Sequence, residues 1–126
     1  MPFTVLIVDD SKLARIVAGK ALAELQPEWR KAEAGNAAQA LELVAAQPVD
    51  VALVDFNMPE KDGLQLAEEL RALQPDLPIA IITANIQDEI IARARAVGAT
   101  FVPKPVTTEG LKGFLSGAAL RLRSKG

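Results

Sequence analysis

Two hydrophobic patterns alternate along the chain. In "TVLIVDD", Thr4 to Asp10, the residues Val5, Leu6, Ile7 and Val8 form an unbroken apolar row. Such a row suits a strand covered on both faces, the habit of parallel sheets flanked by helices. "VDVALVDF", Val49 to Phe56, and "LPIAIITAN", Leu77 to Asn85, repeat it, and weaker strands are predicted at Trp29 to Glu33 and Thr100 to Pro103. Between the strands, apolar residues recur at helical spacing. Ser11 is placed to cap a first helix whose inward face is expected to use Leu13, Ile16, Val17, Ala21 and Leu25. Ala37, Ala40, Leu41 and Val44 mark a second helix after the break at Gly35 and Asn36. Leu66, Ala67, Leu70 and Leu73 mark a third, beyond a loop punctuated by Pro59 and Gly63. Ile90, Ala94 and Val97 mark a fourth, with Gly98 as its C-cap. A last helix is predicted from about Thr108 to Leu122, burying Leu111, Phe114, Leu115, Ala118 and Leu122. Strands alternating with helices mean right-handed βαβ units, hence an α/β fold with a parallel sheet. No linker, repeat or low-complexity segment interrupts it, so one domain is expected over 1–126, with its core at about 4–122.

Composition removes whole classes of chemistry. Fourteen basic residues against 16 acidic ones leave a net charge of −2, with no electrostatic footprint for nucleic acid or an anionic membrane. No apolar stretch approaches the ~20 residues that span a bilayer, and no secretory leader pattern is visible; a cytoplasmic location is the expectation. Cysteine and histidine are both absent. That excludes disulfides, thiolate nucleophiles, the usual zinc ligands and the commonest general base. Chemistry here has to run on carboxylates, hydroxyls, lysine and a hard cation.

Ligands of open α/β sheets sit beyond the carboxyl ends of the strands. This sequence delivers Asp9 and Asp10 after the first strand, Asp55 at the end of the third, Thr83 at the end of the fourth and Lys104 after the fifth. Adjacent carboxylates raise each other's pKa unless a positive charge intervenes. Clustered carboxylates without histidine or cysteine suit Mg²⁺, which takes few protein oxygens, and Lys104 supplies further countercharge. Capping of the first helix would account for one of Asp9, Asp10 and Ser11 but leaves the neighbouring charge unexplained.

In "LIVDDS", "ALVDFNMPEKDG", the "IITAN" of Ile81 to Asn85, and "GATFVPKP", the sequence resembles the response-regulator receiver domain. Each motif alone is weak; all four, in order and each at a strand end, carry the resemblance across Thr4 to Leu122. The resemblance implies a doubly wound, flavodoxin-like sheet of five strands in the order 2-1-3-4-5. It implies that Asp55 is the phosphoacceptor, a carboxylate nucleophile for a phosphohistidine on a histidine kinase or phosphotransfer protein. Asp10, Asp55 and the backbone carbonyl of Asn57 would hold Mg²⁺, with Asp9 acting through a bound water. Lys104 would balance the phosphoryl charge, and Thr83 with Phe101 would relay the change to a surface made by the last two helices and last strand. Asn57 and Asn85 would flank the hydrolytic water and tune the phosphoryl lifetime, and Lys104–Pro105 would be a cis peptide. Many family members carry tyrosine where this chain has Phe101, so a relay here would lack the hydroxyl.

Other readings are weaker. An aspartate-nucleophile phosphatase needs a second aspartate where Asn57 stands, and a degenerate scaffold would not keep every charged site residue. With only "RSKG" after Leu122, the expectation is a stand-alone signalling switch, not an enzyme, in chemotaxis or a phosphorelay. The alternatives are the receiver part of a longer regulator and a phosphate sink. Gly110, Gly113 and Gly117 share a face of the last helix, where a partner helix or a second copy of the domain could approach closely.

Overall fold

The computed structural model describes residues 3–58, 61–84, 87–104 and 106–125, with side chains through residue 122. Strands β1 (Thr4–Val8), β2 (Arg30–Ala34), β3 (Val51–Asp55), β4 (Ile79–Thr83) and β5 (Thr100–Pro103) form one sheet in the order β2-β1-β3-β4-β5. Every adjacent pair is parallel. Helices α1 (Lys12–Leu25) and α5 (Thr108–Lys125) cover one face, while α2 (Ala37–Ala46), α3 (Gly63–Leu73) and α4 (Asp88–Ala96) cover the other. This is the expected doubly wound architecture. β1, β3 and β4 are buried nearly throughout, which is why their apolar runs do not alternate. Two of those strands are shorter than their apolar runs, because the flanking residues leave the ladder.

Alternation divides the core. Val5, Ile7, Val51, Leu53, Ala80, Ile82 and Val102 pack under α1 and α5. Leu6, Val8, Ala52, Val54, Ile79 and Ile81 pack under α2, α3 and α4. Outer strand β2 carries exposed Arg30, Lys31 and Glu33. Outer strand β5 spans only four residues and ends at exposed Pro103.

The first helix corrects an expectation. Leu13 is 71 % exposed, and Ile16 and Val17 are also exposed, whereas the expected Ala21 and Leu25 pack inward with Ala18 and Leu22, and Gly19 is buried beneath Lys31. Small residues let α1 lie close to the sheet and to α5, so the inward stripe is turned away from the larger side chains. The other helical faces fall as the periodicity predicts, except that Leu73 is 52 % exposed. Gly98 ends the α4 region with φ at 71°, a conformation that disfavours any side chain. Its carbonyl and those of Val97, Pro75 and Leu77 all accept from the Arg71 guanidinium at 2.6–3.1 Å. One α3 side chain therefore ties together the turns at the foot of β4 and β5.

Candidate functional site

Main-chain hydrogen bonds hold the candidate residues at or just past the ends of their strands. Asp9 N–H donates to Ala34 O at 3.1 Å, Phe56 N–H to Ile82 O at 2.9 Å and Lys104 N–H to Thr83 O at 2.9 Å. Asp9, Asp55 and Lys104 continue the alternation of the residues under α1 and α5, so their side chains converge at one edge. Asp55 is 2 % exposed and Asp9 7 %, while Asp10 is open to solvent. Asp9, Asp10 and Asp55 each offer an oxygen within 4.8 Å of the others.

Lys104 Nζ lies 2.7 Å from Asp55 Oδ1 and 3.8 Å from Asp9 Oδ2. The short contact is an ion pair without good directional geometry: among the described residues Asp55 Oδ1 has no hydrogen-bond partner. Burial pushes the Asp55 carboxyl above its ordinary range; contact with Lys104 opposes the rise and the charge of Asp9 adds to it. Burial alone would lower the Lys104 ammonium, but its short contact with Asp55 and the charges of Asp55, Asp9 and Asp10 outweigh that and raise it. One ammonium thus faces three carboxylates, leaving the cluster short of positive charge. A buried oxygen without a directional donor, beside two further carboxylates, fits a small hard dication. Capping explains only part of the opening motif. Ser11 caps α1 by accepting from Ala14 N–H at 3.2 Å, and Asp9 Oδ1 accepts from Ser11 N–H at 2.9 Å. Asp10 has no such role.

The loop after β3 is closed tightly. Asp62 and Gln65 form a capping box at the start of α3, and Gly63 N–H donates to Phe56 O at 2.8 Å. A Cβ on Gly63 would sit 2.3 Å from the Asp55 carbonyl oxygen, so only glycine lets α3 begin against the strand end that presents Asp55. Asn57 is exposed in this loop, two residues beyond Asp55, and its backbone N–H helps hold the Asp55 carboxylate.

Thr83 is fully buried at the end of β4 and Phe101 half-buried in β5, where it pairs with Ile81. Thr83 and Phe101 therefore share the sheet face under α4, opposite the face from which the carboxylates rise. Asn85 and Pro105 lie outside the described residues. Arg93 pairs with Asp62 at 3.6 Å and Arg95 is exposed. Gly113 and Gly117 are exposed, with nothing within 4 Å of an added Cβ. Sequence reasoning did not single out Arg15, which reaches from α1 to the Asp9 carbonyl, or the Arg71 tie. Neither has a signal in spacing, because each joins a local carbonyl to a partner on a distant element.

A carboxylate pocket with a lysine stands here at the carboxyl edge of a doubly wound sheet, where open α/β sheets bind their ligands. The response regulator receiver domain family matches residues 5–115, and the chain belongs to that family. It is 35 % identical over 116 residues to a protein-glutamate methylesterase/protein-glutamine glutaminase of Rhodospirillum centenum, covering 89 % of this chain and 29 % of that protein. It is 34 % identical over 120 residues to the response regulator protein PilR of Pseudomonas aeruginosa, covering 94 % of this chain and 26 % of that protein. With the transcriptional regulatory protein PdtaR of Mycobacterium tuberculosis it shares 33 % identity, over 98 % of this chain and 60 % of that protein. The chain thus spans less than two thirds of each of these relatives. Among solved structures, the chemotaxis protein CheY4 of Vibrio cholerae superposes with a TM-score of 0.84 at 27 % identity, covering 94 % of this chain and 99 % of that one. A CheY-like receiver domain from Methanospirillum hungatei superposes with a TM-score of 0.89 over the full length of both chains at 21 % identity, a likeness of fold. The chain is a two-component receiver domain, a phosphorylation switch in signalling, and receivers take their phosphoryl group from histidine kinases. No helix among the described residues is long and apolar enough to cross a membrane.

Proposed function

We propose that Asp55 is the phosphoacceptor and that Mg²⁺ is required for the transfer. The observation that carries this reading is the buried Asp55 carboxylate, flanked by Asp9 and Asp10 and contacted by a single ammonium. An Asp55 oxygen forms the new bond to phosphorus as the phosphorus–nitrogen bond to the donor imidazole breaks. Lys104, already within contact distance, then pairs with the charge left on the phosphoryl oxygens. Asp10, Asp55 and the Asn57 carbonyl would hold Mg²⁺, with Asp9 acting through water; the ion supplies charge neutralisation at the phosphoryl oxygens. Asn57 and Asn85 are neutral amides suited to orienting a hydrolytic water without repelling it.

Access is favoured from the α1 side. A groove of about 420 Å³ runs beside Asp9 and Lys104, walled by Leu13, Ala14, Val17 and Val106. With Asp9 and Lys104 on its border, it suits a helix of the phosphodonor, the apolar residues meeting the helix and the charged edge meeting its phosphohistidine. On the opposite face, Thr83 closing on the phosphoryl group would let half-buried Phe101 move inward. That would alter the recess shared by Ile91, Arg95 and Thr100, through which a downstream protein would read the switch.

The test is phosphorylation by a small-molecule phosphodonor, followed by intact mass. Wild type should gain one phosphoryl group with Mg²⁺ and none in excess chelator, and Asp55→Asn should gain none. Full labelling of Asp55→Asn, or labelling that persists in chelator, would falsify the assignment.

A further inference from the structure

The Asp9–Asp10 turn is held from outside the carboxylate cluster by one side chain. Arg15, one turn into α1, donates from Nη1 to the Asp9 backbone carbonyl at 2.5 Å and from Nε to Glu33 Oε1 on β2 at 3.1 Å. Glu33 also pairs with Lys31 at 3.6 Å, so the guanidinium is braced against the neighbouring strand. The Arg15 side chain is only 18 % exposed, unlike an ordinary surface ion pair. Its planar fork suits two acceptors at once, which a lysine ammonium does not match in shape or reach. The carbonyl it holds immediately precedes Asp10, the exposed carboxylate that no cap or ion pair among the described residues fixes.

We propose that Arg15 is a positioning residue for the cation site: by fixing the Asp9 carbonyl against β2, it sets where the Asp10 carboxylate stands relative to Asp55. The inference rests on the Mg²⁺ reading above and goes beyond it. Geometry and charge make opposite demands here, which makes the role testable. A positive charge beside a dication site repels the dication, so deleting Arg15 for charge alone would tighten Mg²⁺ binding. Deleting a positioning contact loosens it, because an oxygen ligand free to wander must be ordered on binding. Outer-shell partners that orient metal ligands contribute about 10-fold or more in affinity.

The experiment is calorimetric Mg²⁺ titration of the unphosphorylated full chain, with a melting curve for every variant. Arg15→Gln should bind Mg²⁺ about 10-fold more weakly. Lys31→Gln, which removes a like charge from the same ionic row and leaves the Asp9 contact intact, should bind as tightly as wild type or more tightly. The inference is overturned if folded Arg15→Gln matches or exceeds wild-type affinity, or if Lys31→Gln weakens binding as much as Arg15→Gln does. Should Arg15→Gln not fold, Arg15→Lys, equal in charge, decides by the same comparison with wild type. A wild-type chain that takes up no Mg²⁺ overturns the metal reading and this inference together. Normal wild-type binding with an unaffected Arg15→Gln overturns this inference alone.

Discussion

Glycine-to-alanine substitution at two helical positions should move stability in opposite directions, for reasons visible in their surroundings. At Gly63 an added Cβ would lie 2.3 Å from the Asp55 carbonyl oxygen and 2.9 Å from the Asp55 carbonyl carbon and the Phe56 Cα. All three are backbone atoms, so no rotamer relieves the contact. Ordinary contact begins at 3.4 Å, so α3 and the end of β3 must part by about 1.1 Å. Overpacking of this kind costs about 1–3 kcal/mol, and a backbone clash belongs at the upper end. Alanine's better helix propensity returns about 0.5–1 kcal/mol, leaving a net loss of about 2 kcal/mol. With an unfolding entropy of about 0.26 kcal/mol/K for a chain of 126 residues, Tm should fall by about 8 °C. The same displacement moves the carboxylate that would attack phosphorus, and a misplacement of about 1 Å can cost about 100-fold in rate. Gly113 is the control, because nothing lies within 4 Å of its added Cβ. Gly113→Ala should raise Tm by about 3 °C, from propensity alone. The assays are thermal melting by circular dichroism and initial labelling rate with a small phosphodonor and Mg²⁺. A Gly63→Ala protein that melts at or above wild type, or labels at the wild-type rate, would refute the packing argument.

Two further outcomes are expected. Because burial raises the Asp55 pKa on folding, its contribution to stability is full below the ordinary carboxylate range and is lost as pH rises through the folded value. In chelator, Asp55→Asn should therefore gain stability relative to wild type as pH rises above about 4, measured by urea melts, and equal pH profiles would contradict this. Arg71→Gln breaks up four charge-assisted contacts to carbonyls. It should destabilise the domain by about 2–4 kcal/mol and speed amide exchange around Gly98; unchanged exchange there would show that the tie is not structural.

The three central strands and the placing of Asp9, Asp10 and Asp55 at one sheet edge were legible because burial on both faces leaves unbroken apolar rows, whereas the strand order followed only from the resemblance. The acidic and basic residues that end those rows then have one edge to occupy. The face of α1 was not legible. Hydrophobicity weights Leu13, Ile16 and Val17 most, but close packing against the sheet and α5 selects Ala18 and Ala21 for their size. Strand ends were overdrawn at Val49 and Leu77 because buried residues beyond the ladder look the same in sequence as those within it. Gly63 could be read as a loop marker, yet its closeness to Asp55 exists only once α3 has docked. Arg15 and Arg71 each join a carbonyl within six residues to a partner 18, or 26 and 27, residues away, and no local pattern reaches those distant partners.

The two outer strands also constrain how other proteins can recognise the domain. A partner adding its own strand beside β2 would have to run along exposed Arg30, Lys31 and Glu33, desolvating charges to form main-chain bonds. Beside β5 it would find four residues, the last a proline with no N–H to donate. Both borders of the sheet discourage β-augmentation and fibril-like stacking. They steer recognition toward side chains on helices and loops.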